Sequence, residues 1–409
     1  MVGFLGTTLP QFQLLGLIPL KNLLKNQLHQ DRSSTAAFFF WMQFAWYFKP
    51  FFGIVTDAYP LFGTRRKSYA LIGSMLTVAA FVMLLFTPHK YGDLLLVCTA
   101  INVFMVVTST VLGGYMVEAA QSFGAPGRLT AVRNFVEQFS YVVAGPVGGL
   151  LGAVAFGWTA AAGGAIVFLI VPTTIIFLNE QRKKVDSKKL IGQAKIRLRE
   201  VANAKTMWAA TGFSALFYCA PGIQTAEFYQ QQNVMHLGTE GQGILLMLQG
   251  IFGVLAATVY GTLLCRRIKL RWLLAFCITV GAASQFGYAF YTTFHRAWFI
   301  DSFYGLGWTA ADMTMMDLMV RATPAGSEGL GFALMMSVRN LALFGSDWAG
   351  SKAMDVYHLH LSTMATANAL ISLVAVPFIF FLPGYIVDRR DSEEEAALAP
   401  APPGRATLE

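Results

Sequence analysis

Lys49, Asp57, Arg65, Arg66 and Lys67 fall within the stretch WYFKPFFGIVTDAYPLFGTRRKSY, where two long apolar runs meet. In lipid an ionised side chain costs at least ~2.5 kcal/mol even on the mildest insertion scale, so each of these charges needs a partner or a task. Lys49 lies about two turns in from the end of its run, roughly 12 Å, too deep to reach that surface easily. It is expected to pair with a carboxylate or to meet a solute. Arg133 and Glu137 stand four apart, one turn of a helix, and either neutralise each other or face a cargo. Asp301 and Asp312 are eleven apart, three turns, so they share a helix face with Gly305 and Trp308 between them. That face suits the wall of a pathway. Asp312 is the leading candidate for a group that carries a proton or binds an amine, because a carboxyl out of water can load and release a proton near neutral pH. Arg339 is its rival partner, and a fixed Asp312/Arg339 pair would be structural.

Tyr218, Pro221, Gln224, Glu227 and Tyr229 form a kinkable polar, aromatic segment. It reads either as a surface on which a flat ring stacks and hydrogen-bonds or as an outer gate. Asp317 and Arg321, one turn apart, read as a gate or surface pair, while Asp347 and Lys352 have no assigned role.

Other chemistries fit poorly. His358-x-His360 has neither a cysteine nor a carboxylate framework beside it, so no metal or cofactor is expected. Cys98, Cys219, Cys265 and Cys277 show no paired spacing. A phosphate loop of the Gly-x-x-x-x-Gly-Lys type is missing, and no base-reading fold accompanies the basic runs, which argues against an ATP-driven pump and against nucleic acid. A membrane enzyme would need a nucleophile with a base in reach, yet all six histidines lie outside the apolar runs. A receptor or scramblase on the same helical frame is a second alternative.

The elements that must position these residues are membrane helices. The chain has 409 residues, is 55% hydrophobic and 13% charged, and has a mean hydropathy of +0.53; soluble domains carry about 25% charge. Apolar runs of spanning length predict helices near 3–28, 34–58, 67–88, 92–121, 128–156 and 158–178, then 206–232, 240–265, 270–293, 296–321, 328–356 and 361–387. Basic residues cluster after the even-numbered runs and histidines after the odd ones. By the positive-inside rule, both termini and the basic loops are expected in the cytoplasm.

The predicted fold is all-α and integral to the membrane, with twelve transmembrane helices in two pseudo-symmetric six-helix bundles. Residues 1–178 form the first bundle, 179–205 a basic connector and 206–388 the second bundle, with 389–409 a disordered acidic, Pro/Ala-rich tail. The connector is expected to rest on anionic headgroups, with a regulatory role as the alternative. An internal repeat supports the two halves. Val117-Glu118-Ala119 and Val132-Arg133-Asn134 in the first correspond to Val320-Arg321-Ala322 and Val338-Arg339-Asn340 in the second.

Gly53-x-x-x-Asp57 followed by Arg65 and Arg66 resembles the signature loop between helices 2 and 3 of major facilitator transporters. The longer pattern Trp46-x-x-Lys49-Pro50-x-x-Gly53-x-x-Thr56-Asp57-x-x-Pro60-Leu61-x-Gly63-x-Arg65-Arg66-x-x-Tyr69 is similar to the folate-biopterin transporter family, a branch of that superfamily. So are Leu20-Lys21-Asn22, Thr323-Pro324-Ala325-Gly326-Ser327-Glu328-Gly329 and Ala333-Leu334-Met335-Met336-Ser337-Val338-Arg339-Asn340. Thr323 stands where the family has Cys and Asn22 where it has Asp, and Arg339 is an added charge. The resemblance implies alternating access with a midplane site. Gly53, Asp57, Arg65, Arg66 and Glu118, with Asp317 and Arg321, would form a cytoplasmic gate. The implied cargo is a folate, a pterin or, as an alternative, S-adenosylmethionine or a nucleoside-like solute, with protons as co-substrate. The protein is expected to work as a monomer.

Overall fold

In the computed structural model the chain is helical throughout the described residues, apart from turns and one isolated bridge. The structure describes residues 2–390 except 60, 65, 123–125, 179, 181–191, 193–195, 197, 325 and 326; residues 2, 57, 58, 114–122, 126–134 and 328 are described by backbone alone. Most of the basic connector and residues 391–409 therefore lie outside the described residues.

Twelve spans follow one another among the described residues. The first half holds α1 (Val2–Thr8, then Leu17–Asn22 and Leu23–Gln27), α2 (Arg32–Met42, Phe44–Tyr47, Lys49–Ala58), α3 (Lys67–Phe86), α4 (Tyr91–Ser122), α5 (Pro126–Ala153) and α6 (Phe156–Phe168, Ile170–Phe177). The second holds α7 (Lys205–Tyr218, Gln224–Asn233), α8 (Thr239–Val259, running on to Arg267), α9 (Leu270–Gly287), α10 (Phe294–Ala322), α11 (Glu328–Val356) and α12 (Leu361–Phe378). Seven helical stretches of the described residues are long and apolar enough to cross a membrane on composition alone.

The interruptions depart from the uninterrupted runs expected at 3–28, 34–58 and 206–232. Residues 9–16 form turns between the segments of α1. Pro50, which has no N–H to give, starts the last segment of α2. Pro221-Gly222 breaks α7 over residues 219–223. Each half has its own buried core: Phe12, Phe38, Phe81 and Cys98 in the first, Phe217, Leu274, Met315 and Met335 in the second.

One end of the bundle carries the histidines. There α1, α7 and α11 stop at His29, His236 and His358, each in the left-handed conformation at φ 51°, 54° and 52°. Gln30 N–H bonds Leu24 C=O at 2.9 Å and Leu237 N–H bonds Gln231 C=O at 2.9 Å, a matched pair of C-terminal caps on α1 and α7. The halves meet along three seams. On one, α5 lies on α8 backbone to backbone: a Cβ on Gly145 would fall 2.5 Å from Gly243 O, and one on Gly149 2.8 Å from Thr239 O. On the second, α2 meets α11 through Phe40 and Trp348 (ring centroids 5.0 Å apart), the Arg32–Asp355 ion pair (3.3 Å) and Ser33 N–H to Asp355 Oδ2 (2.8 Å). The third joins α1 to the second segment of α7, Gln224–Asn233.

Candidate substrate site and its gates

The break in α7 organises the site. It leaves backbone groups without helical partners, and neighbouring helices take them up. Ser346 C=O on α11 accepts Gly222 N–H at 3.1 Å, and Asn368 on α12 donates to Pro221 C=O at 2.8 Å. The contact is close because Gly222 has no side chain: a Cβ there would lie 2.5 Å from Asp347 Cα. Asp347 then caps the second half of α7 from another helix. It accepts Thr225 N–H at 3.0 Å and the Thr225 hydroxyl at 2.6 Å, doing what an N-cap side chain does within its own chain turn.

Beside the break is a small cavity lined by Tyr218, Gln224, Glu227, Gln285, Tyr304 and Trp308, among others. Its volume is ≈ 20 Å³, room for about one water. Trp308 stacks between Phe217 and Tyr304, with interplanar angles of 20° and 17°. Gln285 is 5% exposed, and its Oε1 has no hydrogen-bond partner in the protein.

Asp312 and Arg339 form a pair in the structure. Arg339 Nε donates to Asp312 Oδ1 at 3.0 Å, and Nη2 donates to the same oxygen. Tyr218 donates its hydroxyl to that oxygen at 2.6 Å and lies under the guanidinium, 4.9 Å from ring centroid to Cζ. Asn340 Oδ1 accepts from Nη1 at 3.2 Å. All four residues belong to the second half.

Asp301, expected on the same pathway wall as Asp312, is separated from it by the Tyr304/Trp308 stack and is fully buried. It accepts from Tyr288 (2.7 Å), Tyr291 (2.6 Å) and Gln249 (2.7 Å). Gly305, read as part of that wall, packs instead against the Gln249 backbone of α8. Glu227 accepts from Gln231 at 3.0 Å and from Gln249 at 3.3 Å, which links it to the same network.

The first half contributes Lys21. Its ammonium donates to Gln224 C=O at 3.0 Å and lies 5.6 Å from the Phe39 centroid and 5.7 Å from that of Phe228. Lys21 is 4% exposed, and the charges acting on it are Asp347 and Glu227. Nearer the histidine end Lys25 reaches Gln232 (2.9 Å) and Asn233 (2.5 Å), and the Tyr229 hydroxyl donates to Gln30 C=O at 2.6 Å. Tyr229 thus sits in the seam, away from the cavity.

Lys49 stands with its ammonium 5.1 Å from the Trp46 ring centroid. Gly53 packs α2 against Thr110 of α4, 3.5 Å from a notional Cβ to its methyl. Asp317 and Arg321 are a two-pronged pair, Nε to Oδ1 2.8 Å and Nη2 to Oδ2 3.2 Å, with Tyr260 of α8 donating to Asp317 at 3.0 Å. Arg66 and Lys67 give their backbone N–H groups to Glu180 at 3.0 and 2.9 Å, tying the turn after α2 to the chain leaving α6. Glu137 is partly buried on α5. The side chains of Asp57, Glu118 and Arg133, and the whole of Arg65, lie outside the described residues.

Sequence reasoning left Lys21, Asp347 and the Asp301 cage without roles. A lysine in mid-run at position 21, an acid in mid-run at position 347 and Thr225 just after Pro221-Gly222 were the available signals. Contacts between positions 122 or more apart were not.

The sequence pattern of the Major Facilitator Superfamily matches residues 3–346. A folate-biopterin transporter of Synechocystis sp. is 25% identical over 381 residues, covering 86% of this chain and 74% of its own. Folate transporter 1 of Plasmodium falciparum is 21% identical over 384 residues, covering 89% and 75%. Among solved structures, a D-xylose-proton symporter superposes with a TM-score of 0.70 at 12% identity (93% of this chain, 96% of that one). The nucleoside transporter NupG gives 0.69 at 13% (93% and 97%). These relatives are transporters and not enzymes. With its family pattern, its twelve spans and its paired halves, this chain belongs to the Major Facilitator Superfamily and is similar to the folate-biopterin transporters within it.

Proposed function

We propose that the protein moves a folate, a pterin or a related small organic solute across its membrane by alternating access, coupled to protons. One observation carries the reading: the Phe217/Trp308/Tyr304 stack stands beside Glu227, Gln224, Gln285 and Asp312 at the break in α7. Flat aromatic faces with donors and acceptors at their edge suit a heteroaromatic ring, which stacks on the faces and hydrogen-bonds through its rim. The names of the curated relatives point to the same class of ring. With the histidine end sealed, the cavity is closed down to the size of a water, and it widens when the halves part.

S-adenosylmethionine or another nucleoside-like solute is the second reading, favoured by the two acids, Glu227 and Asp312, that would face a cation. Lys49 and the Arg133/Glu137 positions remain candidate cargo contacts. Asp57, Arg65, Arg66 and Glu118 with Asp317 and Arg321 remain the candidate gate at the basic end, the end we place in the cytoplasm.

Uptake into proteoliposomes, with and without an imposed proton gradient, tests the proposal. Gradient-driven accumulation of a folate or pterin is the expected result. Accumulation of S-adenosylmethionine or a nucleoside alone would select the second reading, and no accumulation of any of these would overturn both.

A further inference from the structure

Glu227 touches neutral donors, Gln231 and Gln249, and Lys21 of the opposite half holds Gln224 C=O at 3.0 Å, three residues before it on α7. Among the described residues, the titratable groups of its own half that stand near it, Asp301, Tyr304, Tyr288, Tyr291 and Asp347, are acidic or neutral. Lys21 meets this acid-rich patch at a single turn of α7. It holds Gln224 C=O at 3.0 Å and lies against the Phe228 ring, while Asp347 caps Thr225 between them.

When the halves part at the histidine end, Lys21 leaves with α1. Glu227 and Asp347 then remain as two acids without their cation, which opposes opening until one charge is removed. Asp347 keeps two hydrogen bonds from Thr225 whichever way the halves tilt. Glu227 faces the cavity, where a proton can reach it.

We propose that Lys21 is the latch of the histidine-end gate and that Glu227 is the group that takes up the coupling proton as the latch releases. Asp312 does not fill this role, because its cation Arg339 is in the same half and stays beside it throughout the cycle. This assignment rests on the proton-coupled reading above and deepens it.

The test is made without substrate. Lys90 and Tyr357 are exposed at the histidine end, one on each half. Spin labels at Lys90→Cys and Tyr357→Cys, with the exposed Cys219 replaced by Ser, report the width of that end in lipid nanodiscs; the remaining cysteines are buried. Lys21→Gln should raise the long-distance population at least about fivefold, the lower range of two-state coupling, and Lys21→Arg should restore the closed distribution. Mild acidification should widen the wild-type distribution, whereas Glu227→Gln should already be widened at neutral pH and no longer respond to acid.

A Lys21→Gln distribution matching the wild type would overturn the latch. A Glu227→Gln protein that still widens with acid as the wild type does would overturn the proton assignment. The second arm stands even if Lys21→Gln fails to fold. Should the distances shift as expected while no proton-driven uptake of any solute is found, the transport reading would fall and the latch would stand.

Discussion

Asp312 and Lys21 are both charged groups within spanning helices, and they are neutralised in opposite ways. Asp312, on α10, finds Arg339 of α11 and Tyr218 of α7 inside its own half. Lys21 finds a carbonyl, two rings and two distant acids, all but the Phe39 ring across the seam. A pair inside one half keeps its partner as the halves tilt, so it shapes a site more than it favours one state over another. Contacts across the seam exist in one state only, and they are where a switch can act. Arg32–Asp355 repeats the second pattern at the histidine end.

The contrast can be broken most strongly at Arg339. Arg339→Met leaves the Asp312 carboxylate buried without its cation, for which about 3–5 kcal/mol of lost stability is expected. The double variant with Asp312→Asn should recover most of that loss, since no unpaired charge remains. Thermal unfolding in detergent, followed by loss of monodisperse protein, reads both. If the single variant is as stable as the wild type, Asp312 and Arg339 are not a structural unit.

Asp347→Ala comes next. It removes the cap that ties the outer half of α7 to α11, and about 1–2 kcal/mol is expected from the scale of N-cap losses. Asp347→Asn, which keeps an acceptor for Thr225 N–H, should lose less. The two variants would lose equal stability if the carboxylate mattered only through its charge.

Smallest is Arg32→Ala. Both members of the Arg32–Asp355 pair are 24% exposed, so no more than ~1 kcal/mol is expected, and added salt should reduce it further. Because the pair spans the seam, its removal should widen the Lys90/Tyr357 distance distribution more than it lowers stability. A large stability loss with an unchanged distribution would count against the distinction between the two kinds of pair.

The frame was legible in the chain for a simple reason: lipid forces every span to declare itself as an apolar run of fixed length. The repeat of Val-Arg-Asn at 132 and 338 pointed to two halves, and Pro221-Gly222 marked the break in α7. The Asp312/Arg339 pair was legible as an alternative because both residues lie at a depth where charge needs a partner. The seams were not. In lipid both faces of a helix are apolar, so periodicity does not say which side chain looks at the other half and which at hydrocarbon. Lys21 and Gln224, 203 positions apart, carry no local mark of their meeting. Gly305 misled because a small residue beside an acid looks the same whether it borders a cavity or a neighbouring backbone.

The contact of α5 with α8 bears on how fast the protein works. At Gly145, Gly149 and Gly243 the halves touch through main chain alone. Tilting one over the other at these three positions moves backbone past backbone, with no side chain between them. Elsewhere along the same seam side chains stand between the halves, Thr239 against Gly152 and Gln138 against Gly253. A larger residue at Gly145 would wedge the bearing and slow the cycle in both directions alike, leaving the balance between its end states in the hands of the seams on either side.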